Sequence, residues 1–477
     1  MTTDTKTEFE LVAGIETHVQ LKTKTKLFCS CLIQFGSPPN TLVCPVCMGH
    51  PGSLPVLNRG AFELALRAAL ALNCEIAPFT KFDRKNYFYP DLPKNYQISQ
   101  YDLPFSHDGW VELESGKKVG IIRAHLEEDA GKLIHEERGG RSYVDLNRCG
   151  VPLVEIVTKP DLRSSDEAYQ YMTALKTILQ YAGVSDCDME KGELRCDVNL
   201  SVRPKGTEKL GTKVEIKNLN SFKNAKAALE FEYARQVRAI ETGERIFQET
   251  RLWDAEKNQT RLMRSKEEAH DYRYFPEPDL PSLRIDAAWI EKVRATIPEM
   301  PSAKRARMVQ QYGLSDYDAK VLSFNRGMAD FFEEAAKLSG KPKPVANWLV
   351  NELNRILNDR KLEMSQVKAT PKGLIRLIEL VESGQLTGAS AKETFSEMVE
   401  KGISPDDVLK DKGKIGDASA LEEAAKVAIA ANPKAVADFK AGKEAAFKSL
   451  IGGVMKQTKG RADPKLAEEV LRRLLSS

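Results

Sequence analysis

The sequence predicts an α+β protein, a sheet-rich first part followed by helices alone, and three observations carry that prediction. From Phe9 to about Ile285, apolar and polar residues alternate between Gly and Pro turns, the mark of half-buried strands. After the proline-bounded FPEPDLPSL (275–283), and past Pro298 and Pro301, apolar residues recur at helical spacing between short polar links. At 477 residues with 42% hydrophobic and 29% charged content, the chain exceeds the size at which one core keeps growing. Two or three domains are expected, drawn at 1–294 for the sheet, 295–405 for a helical domain and 406–477 for a helical tail.

GIETHVQL (14–21) reads as a strand with Ile15, Thr17, Val19 and Leu21 on one face and Glu16, His18 and Gln20 on the other. RAHLEEDAGK (123–132) sets Arg123, His125, Glu127 and Asp129 against Ile122, Ala124, Leu126 and Glu128. A bulge or turn at the step from Glu127 to Glu128 would reverse that assignment, so the choice between the two glutamates stays open. A helix runs from Ser165 as cap through Ala168, Tyr171, Met172, Leu175, Ile178 and Leu179 to a stop at Gly183. In ELRCDVNLSVR (193–203), Leu194, Cys196, Val198, Leu200 and Val202 are the apolar face; Glu193, Arg195, Asp197, Asn199 and Ser201 point the other way. KVEIKNLNS (213–221) repeats the design, with Val214 and Ile216 inward and Lys213, Glu215 and Lys217 outward. A second helix covers about 224–241, with Ala228, Phe231, Ala234 and Val237 as its stripe. Further on, Thr370 caps and Pro371 opens a helix with Leu374, Leu377, Ile378 and Val381 as its stripe and Gly384 as its stop. Asp463 and Pro464 repeat that opening before Leu466, Val470, Leu471 and Leu474.

A formal charge of +3 is small for this length, so no global field marks a nucleic-acid protein, and partners must be argued locally. Residues 401–477 hold fifteen Lys and Arg against eleven Asp and Glu, which makes the tail basic on balance. GGVMKQTKGRADP (452–464) puts Lys456, Lys459 and Arg461 beside Gly452, Gly453 and Gly460. It suits a phosphate backbone met through charge and flexible main chain, or else it is a solvated surface loop. MTTDTKTEFELVAG has no signal-peptide run, and no later stretch approaches the ~20 apolar residues that span a bilayer. A cytoplasmic location without a membrane partner is expected. Disulfides are disfavoured there, and clustered thiols point to metal.

Cys29, Cys31, Cys44 and Cys47 form such a cluster, two close pairs separated by turn residues Gly36, Pro38, Pro39 and Asn40. Four thiolates suit a tetrahedral zinc ion that clips a loop and leaves no position open for catalysis; the alternative is four reduced, partly buried cysteines. Cys74, Cys149, Cys187 and Cys196 are isolated and read as small buried hydrophobes. No Gly-x-x-x-x-Gly-Lys-Ser/Thr or Gly-x-Gly-x-x-Gly loop is present, which disfavours a P-loop or dinucleotide-binding enzyme.

Any one of the outward strand faces is an ordinary solvent-facing mixture. As a set they offer Glu16, His18, Glu127, Glu128, Asp197 and Glu215, with Asn199, Asn218 and Asn220 near and Arg195 and Lys217 interleaved. Oxygen-rich sets of this kind suit Mg²⁺ or Mn²⁺ shared with phosphate oxygens, while the basic residues neutralise a phosphoryl group. A carboxylate floor that aligns a triphosphate for attack by an acceptor oxygen stabilises charge rather than doing covalent work.

GIETHVQL, KFDRKNYFYPDLPKNYQISQYD (81–102), RAHLEEDAGK, DLNRCGVPLVEIV (145–157), GELRCDVNLSVRP (192–204), VEIKNLNS (214–221) and DYRYFPEPDLP (271–281) run in order through the chain. Together they resemble the B-subunit family of the aspartyl/glutamyl-tRNA amidotransferases. The resemblance implies a cradle domain with a glutamine-synthetase-like antiparallel sheet, then a helical domain and a small helical, tRNA-binding tail. It implies an ATP-dependent ligase that phosphorylates the side-chain carboxylate of Asp on tRNA(Asn) or Glu on tRNA(Gln). Ammonia made from glutamine by a partner amidase A subunit then forms the amide, and a small C subunit completes a heterotrimer.

By motif, Glu16, His18, Glu128, Asp197 and Glu215 match the family's metal and phosphorylation pocket, which alternation alone cannot narrow to Glu128 over Glu127. Lys85, Asn86, Tyr87 and Tyr89 of DRKNYFYP would line the cradle near the acceptor end, where aromatics stack on a terminal base, or form a packed aromatic strand. Arg195, Asn199, Lys217 and Asn218 fall on the ATP-binding side. The implied cofactors are Mg²⁺, ATP as substrate, and structural zinc, the last resting on cysteine spacing. Two rivals remain. A ligase for a free amino acid would not need the basic helical appendage, and a non-catalytic tRNA adaptor would leave the acidic faces unexplained.

Overall fold

The computed structural model describes residues 7–136, 140–265, 272–412, 418–440, 444–458, 462 and 464–476. Residues 1–300 and 301–477 form two compact units. In the first, chain order begins β1 (Phe9–Gln20), α1 (Arg59–Ala71), β2 (Glu75–Ile76), β3 (Phe79–Thr80), β4 (Asp83–Asn86), β5 (Tyr96–Ser99), β6 (Ser106–Glu112) and β7 (Lys118–Glu128). Then come β8 (Lys132–His135), β9 (Ser142–Asp145), β10 (Pro152–Thr158), α2 (Ser165–Tyr181), β11 (Leu194–Pro204), β12 (Val214–Lys217) and α3 (Phe222–Thr242). The unit ends with β13 (Glu249–Asp254), β14 (Gln259–Ser265), β15 (Phe275–Pro276), β16 (Leu283–Arg284) and α4 (Ala287–Arg294).

Nine strands make one sheet in the order β14-β13-β12-β11-β1-β10-β7-β6-β2. All its pairs are antiparallel except β12 with β13, which run parallel because α3 carries the chain back across the sheet between them. The antiparallel expectation is corrected there. The apolar stripes of α1, α2 and α3 cover one face, burying Ile15, Val154, Val198 and Ile216 against Leu66, Leu175 and Leu229. Removing that apolar area from water is the main stabilising term for the sheet. The other face stays polar, and the three-stranded sheet β15-β4-β5 packs against β7 through β5.

The alternation read in 14–21, 193–203 and 213–221 holds: Ile15, Thr17, Val19, Leu194, Val198, Leu200, Val214 and Ile216 are buried, and the intervening acids face the other way. In β7 the register slips opposite Val157 and Thr158, leaving Ile122 exposed, five residues before the step where a bulge was considered. Cys74, Cys149, Cys187 and Cys196 are buried, as read.

Two helix details differ. Ser164, not Ser165, caps α2 by accepting from the Glu167 amide at 3.1 Å, because its extended backbone lets the hydroxyl reach back over the first turn. The buried stripe of α3 is Ala225, Ala228, Leu229, Glu232, Gln236 and Ala239, with Ala234 exposed. A period of three drifts off one helix face; the true stripe follows 3.6 and admits Glu232 because Arg235, Gln236 and Thr260 satisfy its carboxylate.

The second unit is helical: α5 (Pro301–Tyr312), α6 (Asp316–Phe324), α7 (Arg326–Ser339), α8 (Pro342–Asn347), a π-helical stretch Trp348–Leu353, and α9 (Asn354–Arg360). It continues with α10 (Pro371–Glu382), α11 (Gly388–Lys401), α12 (Pro405–Lys412), α13 (Ala418–Ala431), α14 (Pro433–Lys440), α15 (Glu444–Gln457) and α16 (Pro464–Ser476). Thr370 caps α10 with Pro371 at its first position, as read. Two separate cores result, one around Phe332, Leu349, Leu377 and Phe395, the other around Leu421, Phe447, Leu450 and Leu471. Gly452, Gly453 and Lys456 lie inside α15 rather than in a loop, since Gly453 lets that helix press against Ala428 of α13. Lys459, Gly460, Arg461 and Asp463 lie outside the described residues.

Candidate functional site

Register across the central strands builds the site. Pairing sets Glu16 opposite Asp197, His18 opposite both Arg195 and Glu155, Glu155 opposite His125, and Asn199 opposite Glu215. Opposed residues share a face, so these strands deliver one polar row. His18 Nε2 lies 3.4 Å from Glu155, 3.6 Å from Glu127 and 3.9 Å from Glu16. His125 Nε2 lies 3.4 Å from Glu127 and 3.5 Å from Glu155, and Ser99 donates to Glu127 at 2.9 Å.

Charge balance here decides protonation. Burial disfavours the charged form of His18, but a hydrogen bond and attraction from Glu155, with Glu127 and Glu16 beside it, raise its pKa to about 9. Burial also opposes ionisation of Glu155, yet His125 and His18 hold its carboxyl well below the usual range. Glu127 is lowered too: burial and Glu155 push it up, and His125 and Lys85 outweigh them. Glu16 is raised by burial and by Glu155, which together outweigh the attraction of His18.

Beside this cluster Lys217 binds Asp197 at 2.5 Å and lies 3.6 Å from Glu215, which also accepts from the Thr250 hydroxyl at 2.8 Å. Arg195 donates to the buried Asp129 at 2.8 Å. Asn199 Oδ1 and Arg195 Nε are buried without a hydrogen-bond partner. Asn218, at positive φ, spends its side chain on the Trp253 carbonyl at 2.9 Å. From the neighbouring sheet, Lys85 reaches toward Glu127 and Glu155, which raise its pKa although burial opposes the charge. Its ammonium lies 5.1 Å above the Tyr272 ring; Tyr87 meets Tyr272 edge-on at 6.1 Å, while Phe88 and Tyr89 are exposed. Asn86 is turned to the Arg273 carbonyl at 2.8 Å.

Glu128 does not join the cluster. Its side chain leaves the strand on the opposite side, where it pairs with the buried Lys94 and accepts from the Ile98 amide at 2.9 Å. There, with Phe28, Cys29, Val46, Cys47 and Gly150, it lines a small cavity against the cysteine loop. Glu155 and His125 were missed as site residues. The signal for Glu155 was present: it is the lone charge inside the apolar strand PLVEIVT, a position that a buried strand tolerates only with partners. Tyr274, stacked on Tyr101 at 4.1 Å, was missed as well.

Among the described residues three groups fit metal. Donor atoms of Glu16, His18 and Glu155, and of His125, Glu127 and Glu155, lie within 4.8 Å of one another, so Glu155 is common to both sets. A set of hard oxygens with imidazole nitrogen suits a divalent cation. Cys29, Cys31, Cys44 and Cys47 are gathered equally tightly, with 3.9 Å between the sulfurs of Cys44 and Cys47. Tetrahedral zinc–sulfur bonds of about 2.3 Å require sulfurs about 3.8 Å apart, so the loop is preformed for it. The Cys29 thiol, the Cys44 amide and the buried Lys26 ammonium hold the Cys47 thiol down to about 4 against its burial.

Among the described residues no helix is long and apolar enough to cross a membrane. Residues 11–291 match the family model described as the GatB/GatE catalytic domain, and residues 330–475 match that of the GatB domain. The B subunit of the aspartyl/glutamyl-tRNA(Asn/Gln) amidotransferase of Carboxydothermus hydrogenoformans is 54% identical over 473 residues, covering 98% of each chain. Its counterpart in Brevibacillus brevis is 52% identical over 475 residues, covering 98% of this chain and 99% of its own. With both units matched and identity sustained over nearly the full length, the chain belongs to the family of aspartyl/glutamyl-tRNA amidotransferase B subunits.

Proposed function

We propose that the chain is the ATP-dependent ligase component of a tRNA-dependent amidotransferase, converting Asp on tRNA(Asn), Glu on tRNA(Gln), or both, to the amide. The observation that carries this reading is the convergence of Glu16, His18, Glu127 and Glu155 on one sheet face, with Lys217, Arg195 and Lys85 beside them. An oxygen of the substrate carboxylate bonds to the γ-phosphorus as the bond to the leaving ADP oxygen breaks. Ammonia then attacks the acyl carbon, the bond from that carbon to the phosphate oxygen breaks with its electron pair leaving on phosphate, and the nitrogen gives up one proton to become the amide. A carboxylate is a poor electrophile and its acyl phosphate a good one, which is why ATP is needed.

Glu16, His18, Glu127 and Glu155 would hold Mg²⁺, which supplies charge neutralisation of phosphate oxygens when bound. Lys217 of β12, with Arg195 and Asn199 on either side of Asp197 along β11, offsets charge developing on the nucleotide. The Asp197 and Glu215 carboxylates orient Lys217. Tyr87, Tyr272 and the exposed Phe88 and Tyr89 offer stacking surfaces to unpaired bases at the acceptor end. On this reading Glu128 supports β7 rather than touching substrate. The four cysteines would hold zinc as a loop clip, the helices of 406–477 would meet tRNA, and in the cytoplasm a partner amidase A subunit would supply ammonia while a small C subunit completes the heterotrimer. The test is γ-phosphate release from ATP by the reconstituted complex with each misacylated tRNA. His18→Ala and Glu155→Ala should abolish it and spare glutamine hydrolysis; normal turnover in either variant refutes the reading.

A further inference from the structure

The cations around the carboxylate cluster are mostly tied to acids. Lys217 binds Asp197 at 2.5 Å, Arg195 binds Asp129 at 2.8 Å, and Lys94 pairs with Glu128. Arg123 is different. It projects from β7 on the face of His125 and Glu127, opposite Val157 of β10, which in turn lies opposite Glu16 of β1. Its Nε is buried without a hydrogen-bond partner. Among the described residues no carboxylate stands within ion-pair reach of its guanidinium, although Glu155 and Glu127 are on neighbouring positions of the same face. Those two acids are already engaged, Glu155 by both histidines and Glu127 by His125 and Ser99.

A guanidinium cannot shed its proton, and a partly buried one without a counter-charge is unfavourable. The arrangement becomes favourable once an anion enters from outside. Tyr274 stands in the field of Lys85, Glu127, Glu155 and Arg123 together, and its ring is fixed by the 4.1 Å stack on Tyr101, so a wall closes this corner of the basin. An anion held there would lie next to the carboxylates that favour a cation, which is the charge pattern of a metal-bound phosphoryl group. The planar fork of arginine matches two phosphoryl oxygens at once, which a lysine does not.

We propose that Arg123 is a phosphoryl-binding residue of the nucleoside triphosphate site, contacting the oxygens of the group transferred to the substrate carboxylate. The assignment rests on the ligase reading of the same basin. It makes Arg123 a transition-state contact, because the charge on those oxygens is redistributed as the bond to the leaving diphosphate lengthens. Lys85, which acts on Tyr274 together with Arg123, is among the described residues the second cation here without a carboxylate in ion-pair reach, and contributes a point charge to the same corner.

The experiment uses the full-length chain reconstituted with its partner subunits, following γ-phosphate release from ATP with a misacylated tRNA. Arg123→Met, which keeps the length and apolar stem, should lower kcat about 100-fold with a smaller change in the KM for ATP, and leave thermal melting unchanged. Arg123→Lys should recover only part of the rate, and added guanidinium ion should restore turnover to Arg123→Ala. Wild-type kcat in Arg123→Met overturns the proposal, as does a loss that follows a lowered melting temperature with no guanidinium rescue. If the wild-type complex itself releases no phosphate from ATP, the ligase reading falls first and the proposal with it.

Discussion

Glu155 should set the protonation of His18, and replacing it by Gln is the most direct way to see the electrostatics of the basin. Burial opposes the charge on His18, but Glu155 at 3.4 Å, joined by Glu127 and Glu16, outweighs it and raises the pKa from an ordinary 6.5 to about 9. That span corresponds to about 3 kcal/mol of folding stability at 1.36 kcal/mol per unit, an upper bound because neighbouring acids share the interaction. The folded pKa is raised, so this stability is fully present below pH 6.5 and is lost as pH rises through about 9. Gln keeps the shape and removes the charge, so the His18 pKa should fall by at least about one unit, with Glu127 and Glu16 still beside it. The assay is the histidine ring proton shift in labelled protein with chelator present, from pH 5 upward. A cation bound at His18 must displace its proton, so Mn²⁺ affinity in the wild type should also tighten as pH rises toward about 9. A His18 resonance titrating near 6.5 in both proteins, with Mn²⁺ affinity flat across that range, would show that Glu155 does not control the basin.

Serine substitution of Cys47 should cost one bound zinc per chain by elemental analysis and lower the melting temperature of the first unit; full zinc occupancy in that variant contradicts the loop-clip assignment. Lys94→Met strands a buried Glu128 and should destabilise by about 3 kcal/mol in denaturant titration, whereas Lys94→Met with Glu128→Gln should recover most of it. Equal loss in the single and double variants would mean that packing rather than charge holds that corner. Ser164→Ala should destabilise by about 1 kcal/mol and Ser165→Ala by much less, a difference that urea midpoints resolve; the reverse order would restore Ser165 as the cap.

Local order was legible in the sequence wherever one rule governs a residue. Period-two alternation put Glu16, His18, Asp197 and Glu215 on the face opposite Ile15, Val198 and Ile216, and the sheet keeps them there, because burial of the apolar face leaves a strand no freedom to turn over. The Thr370 and Pro371 opening of α10, the gathered Cys29, Cys31, Cys44 and Cys47, and the burial of the isolated cysteines follow equally from local chemistry. Quoted motifs carried the family, since long ordered strings of residues seldom agree by chance.

Pairing between strands was not legible. Only the register of β10 between β1 and β7 brings Glu155 against His18 and His125, turning a lone acid in an apolar strand into the centre of the cluster. The same pairing parts adjacent Glu127 and Glu128, one toward His18 and the other toward Lys94, because neighbouring strand residues point to opposite faces and each needs its own counter-charge. The parallel placement of β13 beside β12 and the helical state of Gly452 and Gly453 were likewise decided by packing. Side-chain periodicity is written along the chain and can be read from it; which strands become neighbours depends on contacts between residues far apart in sequence, and that is settled only when the core forms.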